Sequence, residues 1–211
     1  MDGELLTPDA FPLKTRRVVL RPVAFSDVGD LCTLYCDWEV ARWLSRLPWP
    51  FTHSSAHIFV TDAIDDLSRG TGCMLAMIES ETNAFVGVIS LRIRALEPQP
   101  WTSDAGLAIL GYSVARGRWG AGFASEGAAC VTTFAFEDLG LARLRATALR
   151  SNLASRRVLE RLGFKVSEFG VKEVPRYGGP PRLGDVHLLE RRDWLAKRPG
   201  PGHAPGPKST R

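Results

Sequence analysis

The segment Gly111-Tyr-Ser-Val-Ala-Arg-Gly-Arg-Trp-Gly-Ala-Gly-Phe-Ala-Ser-Glu-Gly127 decides how this chain folds. It opens as an apolar stretch, breaks at Gly117, Gly120 and Gly122, and resumes with Ala124, Ala128, Val131 and Ala135 at helical spacing. A strand, a glycine-rich turn and a helix start therefore follow one another. Glycines let a backbone approach a ligand closely, and the unsatisfied N–H groups of a helix's first turn favour an anion. Arg116 and Arg118 flank the turn as cationic donors suited to a diphosphate. No Lys-Ser or Lys-Thr follows the last glycine, which excludes the phosphate loop of nucleotide triphosphatases. Ser125 stands where a dinucleotide-binding turn needs its third glycine. From these residues alone, a tight connection without a ligand remains an alternative.

Downstream, Ser151-Asn-Leu-Ala-Ser-Arg-Arg-Val-Leu-Glu-Arg-Leu-Gly-Phe164 follows a strand-like Leu144–Leu149. With Gly111-Tyr112, Trp119-Gly-Ala-Gly-Phe-Ala124 and Glu126, and with Asn152, Ser155 and Leu159-Glu-Arg-Leu-Gly-Phe164, the chain resembles the GNAT superfamily of acyl-CoA-dependent N-acyltransferases. Arg17-Val-Val-Leu-Arg-Pro22 with Asp27, and Glu39-Val-Ala-Arg-Trp-Leu44, extend the resemblance from about Leu13 to Trp194. Within the superfamily it is similar to the Rim-type branch, which acetylates ribosomal-protein N-termini.

The resemblance implies a mixed α/β fold. Its central, mostly antiparallel twisted sheet splays apart between Tyr112–Val114 and the 143–149 strand, with helices on both faces. Acetyl-CoA is the implied acyl donor and enters that wedge. Arg118, Trp119, Gly120, Ala121, Gly122, Phe123 and Ala124 would hold its pyrophosphate. Tyr112, Ser113 and Val114 would pair with the pantetheine as a neighbouring strand does, and a free N–H near Val114 would face the thioester oxygen. Asn152 would contact pantetheine, or serve only as a helix cap. Ser155 would protonate the departing thiolate, whose free pKa of about 8.5 demands a good donor rather than a strong acid.

The general base is less evident. Many relatives carry a glutamate just before the Gly-Tyr pair, where this chain has Ile109 and Leu110. Asp104 is the candidate catalytic carboxylate, and Glu126 reads as a support of the fold. Without a strong base, a weakly basic α-amine is the more suitable acceptor. A small-molecule amine (an aminoglycoside or polyamine, with Asp62, Asp65 and Asp66 as acidic candidates) is the alternative, and a non-catalytic acyl-CoA-binding module is the third reading.

Composition bounds these readings. The chain has 211 residues, of which 45% are hydrophobic and 24% charged, as in an ordinary globule. No apolar run approaches the ~20 residues of a membrane span, and Met1-Asp-Gly-Glu is not a signal sequence. The expected location is cytoplasmic, with no membrane and no nucleic-acid partner, as a monomer or a homodimer. The formal charge of +4 is matched by Lys197, Arg198, Lys208 and Arg211, so the body is near neutral. Cys32, Cys36, Cys73 and Cys130 lack metal or disulfide spacing, and His53 and His57 have no third ligand nearby, so no metal is expected.

In order, residues 1–12 read as a loose leader, 13–195 as one acetyltransferase domain, and 196–211 as a disordered basic Pro/Gly tail. Strands are expected at Arg17–Arg21, Cys73–Glu79, Phe85–Arg94, Ala105–Val114, Leu144–Leu149, Phe164–Val174 and Asp185–Leu189. Helices are expected from Ser26 or Asp27 to Cys36, from Trp38 to Leu47, after Thr52, after the glycine turn, and over Ala154–Leu162. Trp43, Trp49 and Phe51 are candidates for an aromatic wall on the substrate side, or for packing alone.

Overall fold

A computed structural model of the chain describes residues 6–93, 106–176 and 178–197. The elements run β1 (Leu13–Lys14), β2 (Val18–Pro22), α1 (Val28–Cys36), α2 (Trp38–Ala41), α3 (His53–Ser68), β3 (Gly72–Glu79), β4 (Phe85–Ile93) and β5 (Leu107–Val114). They continue with α4 (Phe123–Glu137), β6 (Arg143–Leu149), α5 (Leu153–Leu162), β7 (Lys165–Glu173), β8 (Arg182–Glu190) and α6 (Arg191–Ala196). The strands form one sheet in the order β1-β2-β3-β4-β5-β6-β8-β7. Every neighbouring pair is antiparallel except β5–β6, which is parallel. This is the mixed α/β, mostly antiparallel architecture expected.

Strand alternation divides the apolar side chains between two faces. Leu20, Leu75, Met77, Ile89 and Leu110 bury against α4, whose Ala128, Val131 and Ala135 form the opposing stripe. Ala76, Ile78 and Val88 point the other way, toward Leu31, Leu34 and Tyr35 of α1 and Val60 of α3. Asp27 fixes α1 to β2. Its carboxylate accepts two hydrogen bonds from Arg21, at 2.8 and 2.7 Å, and one from the Ala24 N–H. Burial acts to raise the Asp27 pKa, but these bonds outweigh it and leave the carboxyl below its ordinary value.

Three expectations are corrected. Leu6 is only 2% exposed, Pro8–Ala10 make a 3-10 turn, and the Phe11 ring lies 5.6 Å from that of Phe134, so the expected loose leader is anchored at Leu6 and Phe11, while Thr7, Pro8, Asp9 and Pro12 stay exposed. The helix expected to reach Leu47 ends at Ala41. A helix running to Leu47 would use the Arg42 carbonyl internally, for the Arg46 N–H. Here Arg182 of the distant β7–β8 hairpin bonds the Arg42 oxygen, and the Arg176 N–H bonds the Ser45 oxygen. Residues 191–196 add a helix the periodicity did not announce, held by Trp194 against Phe136 at 5.3 Å.

Two glycines give a matched test of this packing. A Cβ on Gly87 in β4 would sit 2.2 Å from the Ser113 carbonyl oxygen and 2.9 Å from the Val114 Cα, whereas one on Gly29 in α1 meets nothing within 4 Å. Gly87→Ala is expected to destabilise the fold by about 2–3 kcal/mol through overpacking. Gly29→Ala should stabilise it by about 0.5–1 kcal/mol through helix propensity. Urea midpoints at constant m-value measure both.

Candidate active site

The site begins with a failure of pairing. β5 and β6 align only from Leu107↔Arg143 to Ile109↔Arg145, and beyond Ile109 the strands part. On its other edge β5 stays paired with β4 as far as Val114↔Gly87. The Ala115 N–H bonds the Val86 carbonyl at 2.9 Å, which sets the alternation along β5. Ala115, Ser113 and Gly111 turn their backbone groups to β4, and Val114, Tyr112 and Leu110 turn theirs into the gap. The Val114 carbonyl there accepts the Trp119 indole N–H at 2.7 Å, leaving its N–H as the strand's terminal donor in the gap.

The glycine turn closes the same gap. Gly120 and Gly122 lie at φ 77° and 86°, in the left-handed region where a side chain is strained. Gly122 is the N-cap of α4 without a side-chain cap bond, and the first bond into the helix is Glu126 N–H to the Gly122 oxygen at 3.0 Å. The N–H groups of Phe123, Ala124 and Ser125 are thus the helix's unsatisfied donors. The turn is pinned from outside. Glu126 accepts from Thr15 Oγ1 (2.7 Å), the Arg17 N–H (2.9 Å) and Arg17 Nε (2.7 Å), and Arg17 also reaches the Ala121 oxygen at 3.0 Å. Burial raises the Glu126 pKa, but the bonds from Thr15 and Arg17 prevail and hold the carboxyl below its usual range. Glu126 therefore supports the fold.

A cleft of about 670 Å³ occupies the gap. Tyr112, Ser113, Val114, Arg118, Trp119, Gly120, Gly122, Phe123, Ala124, Asn152, Ser155 and Trp43 all line it. Phe123 buries its ring and serves the cleft through its backbone. Ala121 is in the turn but off the wall, its carbonyl taken by Arg17. Arg118 bridges to Glu79 at 3.1 Å, and Arg116 is not part of the lining. Across the gap, Asn152 caps α5 by accepting the Ser155 N–H at 3.1 Å, so the capping role is real. The Tyr112 hydroxyl donates to the Ser155 carbonyl at 3.0 Å and lies 3.0 Å from Ser155 Oγ. Burial pushes the Tyr112 phenol up to about 12, against the Ser155 bond, so both hydroxyls stay protonated at neutral pH.

The structure separates the three aromatic candidates. Trp43 lines the cleft. Phe51, 4% exposed, sits in the core between Tyr35 of α1 (5.1 Å) and Phe59 of α3 (6.2 Å). Trp49 packs on Trp38 at 4.9 Å, away from the cleft. Asp104 lies outside the described residues. Asp62, Asp65 and Asp66 are on α3 and do not line the cleft, and Asp65 bridges to Arg69 at 3.5 Å. Sequence reasoning missed Arg157 and Arg161, one helical turn apart on α5, which also line it. Their i, i+4 spacing was the available signal. Among the described residues no group of three His, Cys, Asp or Glu side chains could hold a metal ion, and no helix is long and apolar enough to cross a membrane.

The chain matches the acetyltransferase (GNAT) domain model over residues 17–165. An uncharacterized N-acetyltransferase, p20, of Bacillus licheniformis is 30% identical over 178 residues, covering 84% of this chain and 93% of that protein. The FsC-acetyl coenzyme A-N(2)-transacetylase of Aspergillus fumigatus is 29% identical over 191 residues, covering 87% of this chain and 77% of that protein. The solved structure of Mycobacterium smegmatis RimJ in complex with CoA-disulfide shares the fold, with a TM-score of 0.68 and 21% identity over 85% of this chain and 88% of that one.

The Arg17–Glu126 clamp predicts a pH signature. A carboxyl depressed in the folded state contributes stability above its unfolded pKa, and that contribution fades as pH falls through the folded value. Glu126→Gln is expected to cost about 1–2 kcal/mol at pH 7. The gap in urea midpoint between wild type and variant should narrow steadily from pH 5 to pH 3.

Proposed function

The chain belongs to the GNAT acetyltransferase family and is an N-acetyltransferase, and from that premise we propose that its acceptor is the α-amine of a protein N-terminus. The observation that carries this reading is the charge of the cleft. Among the described residues its ionised side chains are Arg118, Arg157 and Arg161, with no carboxylate and no histidine. An α-amine of pKa about 8 is ~10% neutral at pH 7, whereas a lysine amine near 10.4 is only about 0.04% neutral. A described lining without a base suits the former, and its three arginines disfavour polyamines and aminoglycosides, whose several positive charges seek carboxylate partners; Asp104 lies outside the described residues.

In this reading the acyl donor is acetyl-CoA, the donor the family uses. Its pyrophosphate meets the N–H groups at the start of α4, with Arg118, Arg157 and Arg161 as further cations. Its pantetheine takes the place of the missing strand beside Leu110–Val114. The amine nitrogen attacks the thioester carbon, and the carbon–nitrogen bond forms while the carbonyl oxygen gains charge at the Val114 N–H. The carbon–sulfur bond then breaks, the thiolate takes the Ser155 hydroxyl proton, and solvent receives the proton lost by the nitrogen. Tyr112 holds Ser155 in place through its hydroxyl, and solvent returns a proton to the Ser155 oxygen. Positioning and dipoles supply most of the rate.

A small-molecule acceptor is the second reading, supported by a relative in Aspergillus fumigatus that is named an FsC-acetyl coenzyme A-N(2)-transacetylase and not a protein acetyltransferase. The two readings separate in one assay. A lysine-free peptide with a free N-terminus is expected to outrun an N-blocked peptide carrying one lysine by about 10² in kcat/KM at pH 7, following the fractions of neutral amine. Its kcat/KM should rise with pH, reach half its maximum near pH 8 and level off above about pH 9. Faster acetylation of lysine, or turnover of small polyamines alone, overturns the proposal. Ser155→Ala should lower kcat by about 10²-fold while leaving acetyl-CoA affinity by calorimetry within a factor of three.

A further inference from the structure

Ser113 occupies an unusual position on β5. Its backbone groups are spent on β4, as the pairing with Val88 and the closeness of its carbonyl oxygen to Gly87 show. Its side chain leaves the strand on the face opposite Tyr112, toward α1, where Ser113 Oγ meets the Tyr35 hydroxyl at 3.1 Å. Yet Ser113, only 8% exposed, still borders the cleft, on the side walled by Val40, Trp43 and Leu44. These three lining residues are apolar, and the Arg42 guanidinium stacks on the Trp43 ring at 4.5 Å.

The direction of the Tyr35–Ser113 bond follows from burial. Tyr35 is 3% exposed, enclosed by the Phe51 and Phe59 rings at 5.1 and 5.6 Å, and Ser113 is the partner of its hydroxyl among the described residues. A buried O–H without an acceptor costs more than the bond itself is worth, so the phenol donates and Ser113 Oγ accepts. Loss of the phenolic proton does not intervene, because burial raises the Tyr35 pKa to about 12 even against the Ser113 bond. The serine keeps one proton of its own, and the space left for it is the cleft. The pair thus presents an oriented hydrogen-bond donor in an otherwise apolar pocket.

From this arrangement we infer that Ser113, held by Tyr35, is a specificity-determining residue that donates to the first carbonyl oxygen of the acceptor, and so selects amines with a carbonyl one carbon away. This deepens the α-amine reading above and rests on it. An N-terminal residue carries its carbonyl on the carbon bearing the amine. A polyamine offers no oxygen to this donor. Val40, Trp43 and Leu44 then accommodate the first side chain, which favours small or apolar residues. A site built to bond one polar group discriminates strongly against the analogue that lacks it.

The test uses the full chain, acetyl-CoA and two acceptors, a lysine-free peptide beginning with alanine and isopropylamine, which is the same amine without the carbonyl. Ser113→Ala is expected to lower kcat/KM for the peptide about tenfold, chiefly through KM, and to change isopropylamine less than twofold. Tyr35→Phe should give a smaller loss of the same kind, because the serine proton is then free to turn toward α1. Ser113→Thr should keep at least half of the peptide activity. Acetyl-CoA affinity by calorimetry should be unchanged in all three variants. Equal losses on both acceptors, or a weakened acetyl-CoA affinity, would assign the hydroxyl to the thioester or to the fold and overturn the inference. Peptide turnover indifferent to Ser113→Ala overturns this inference alone. A wild-type enzyme that acetylates other amines but no peptide overturns the α-amine reading and this inference together.

Discussion

The parting of β5 from β6 after Ile109 is the constraint on which the rest of the structure depends. A buried strand with backbone groups left unpaired is costly, and most proteins avoid it. Here the outer backbone groups of Leu110, Tyr112 and Val114 are directed into a gap that is deep enough to take a ligand and narrow enough to pair with one. Everything around the gap keeps it open. β4 holds the opposite edge of β5 in full register, Gly87 lets the two backbones close up, and α4 starts at the mouth rather than over it. The cleft is a missing strand, and its chemistry follows from what a strand edge and a helix start have in common, which is free N–H groups.

Such an opening needs bracing, and the braces come from distant parts of the chain. Thr15 and Arg17, beside the first long strand, tie Glu126 and the Ala121 carbonyl, so the glycine turn is held by residues more than a hundred positions away. The β7–β8 hairpin ties the stretch after α2 through Arg176 and through Ser45 Oγ, which donates to Glu173 at 2.6 Å. Trp119, 47% exposed at the cleft, spends its indole N–H on Val114 and so links the turn to the strand. The glycines give the turn its shape, and these contacts give that shape a fixed place.

Two hydroxyl pairs leave β5 on opposite faces. Tyr112 points toward α5 and meets Ser155, while Ser113 points toward α1 and meets Tyr35. The strand's alternation therefore sends two hydroxyl pairs, anchored on neighbouring residues, to opposite faces of the sheet. Among the described lining residues the positive charge comes from Arg118 beside the turn and from Arg157 and Arg161 on α5, and Val40, Trp43 and Leu44 are the apolar part. The division of the cleft into a polar, cationic half and an apolar half follows from which helix each face of the strand meets.

Local chemistry was legible in the sequence. Gly120 and Gly122 announced a turn because few other residues adopt positive φ. Asn152 announced a helix start because its side chain replaces a missing backbone partner. The strand before the turn was readable from its continuous apolar run, and these features with their order were enough to identify the family and the fold. What the sequence could not decide was anything that depends on who claims a backbone group or fills a face after the chain has folded. Trp43, Trp49 and Phe51 are equivalent as sequence, and only the packing of α1 and α3 sends Phe51 inward and leaves Trp43 on the cleft. The helix expected to reach Leu47 stops at Ala41, and a hairpin far along the chain bonds the Arg42 and Ser45 carbonyls that follow it. Arg157 and Arg161 look like any exposed helical arginines until β6 diverges and α5 is laid along the gap. Composition and spacing specify backbone preferences. The site itself is set by the order of strands in the sheet, which brings its parts together from across the chain.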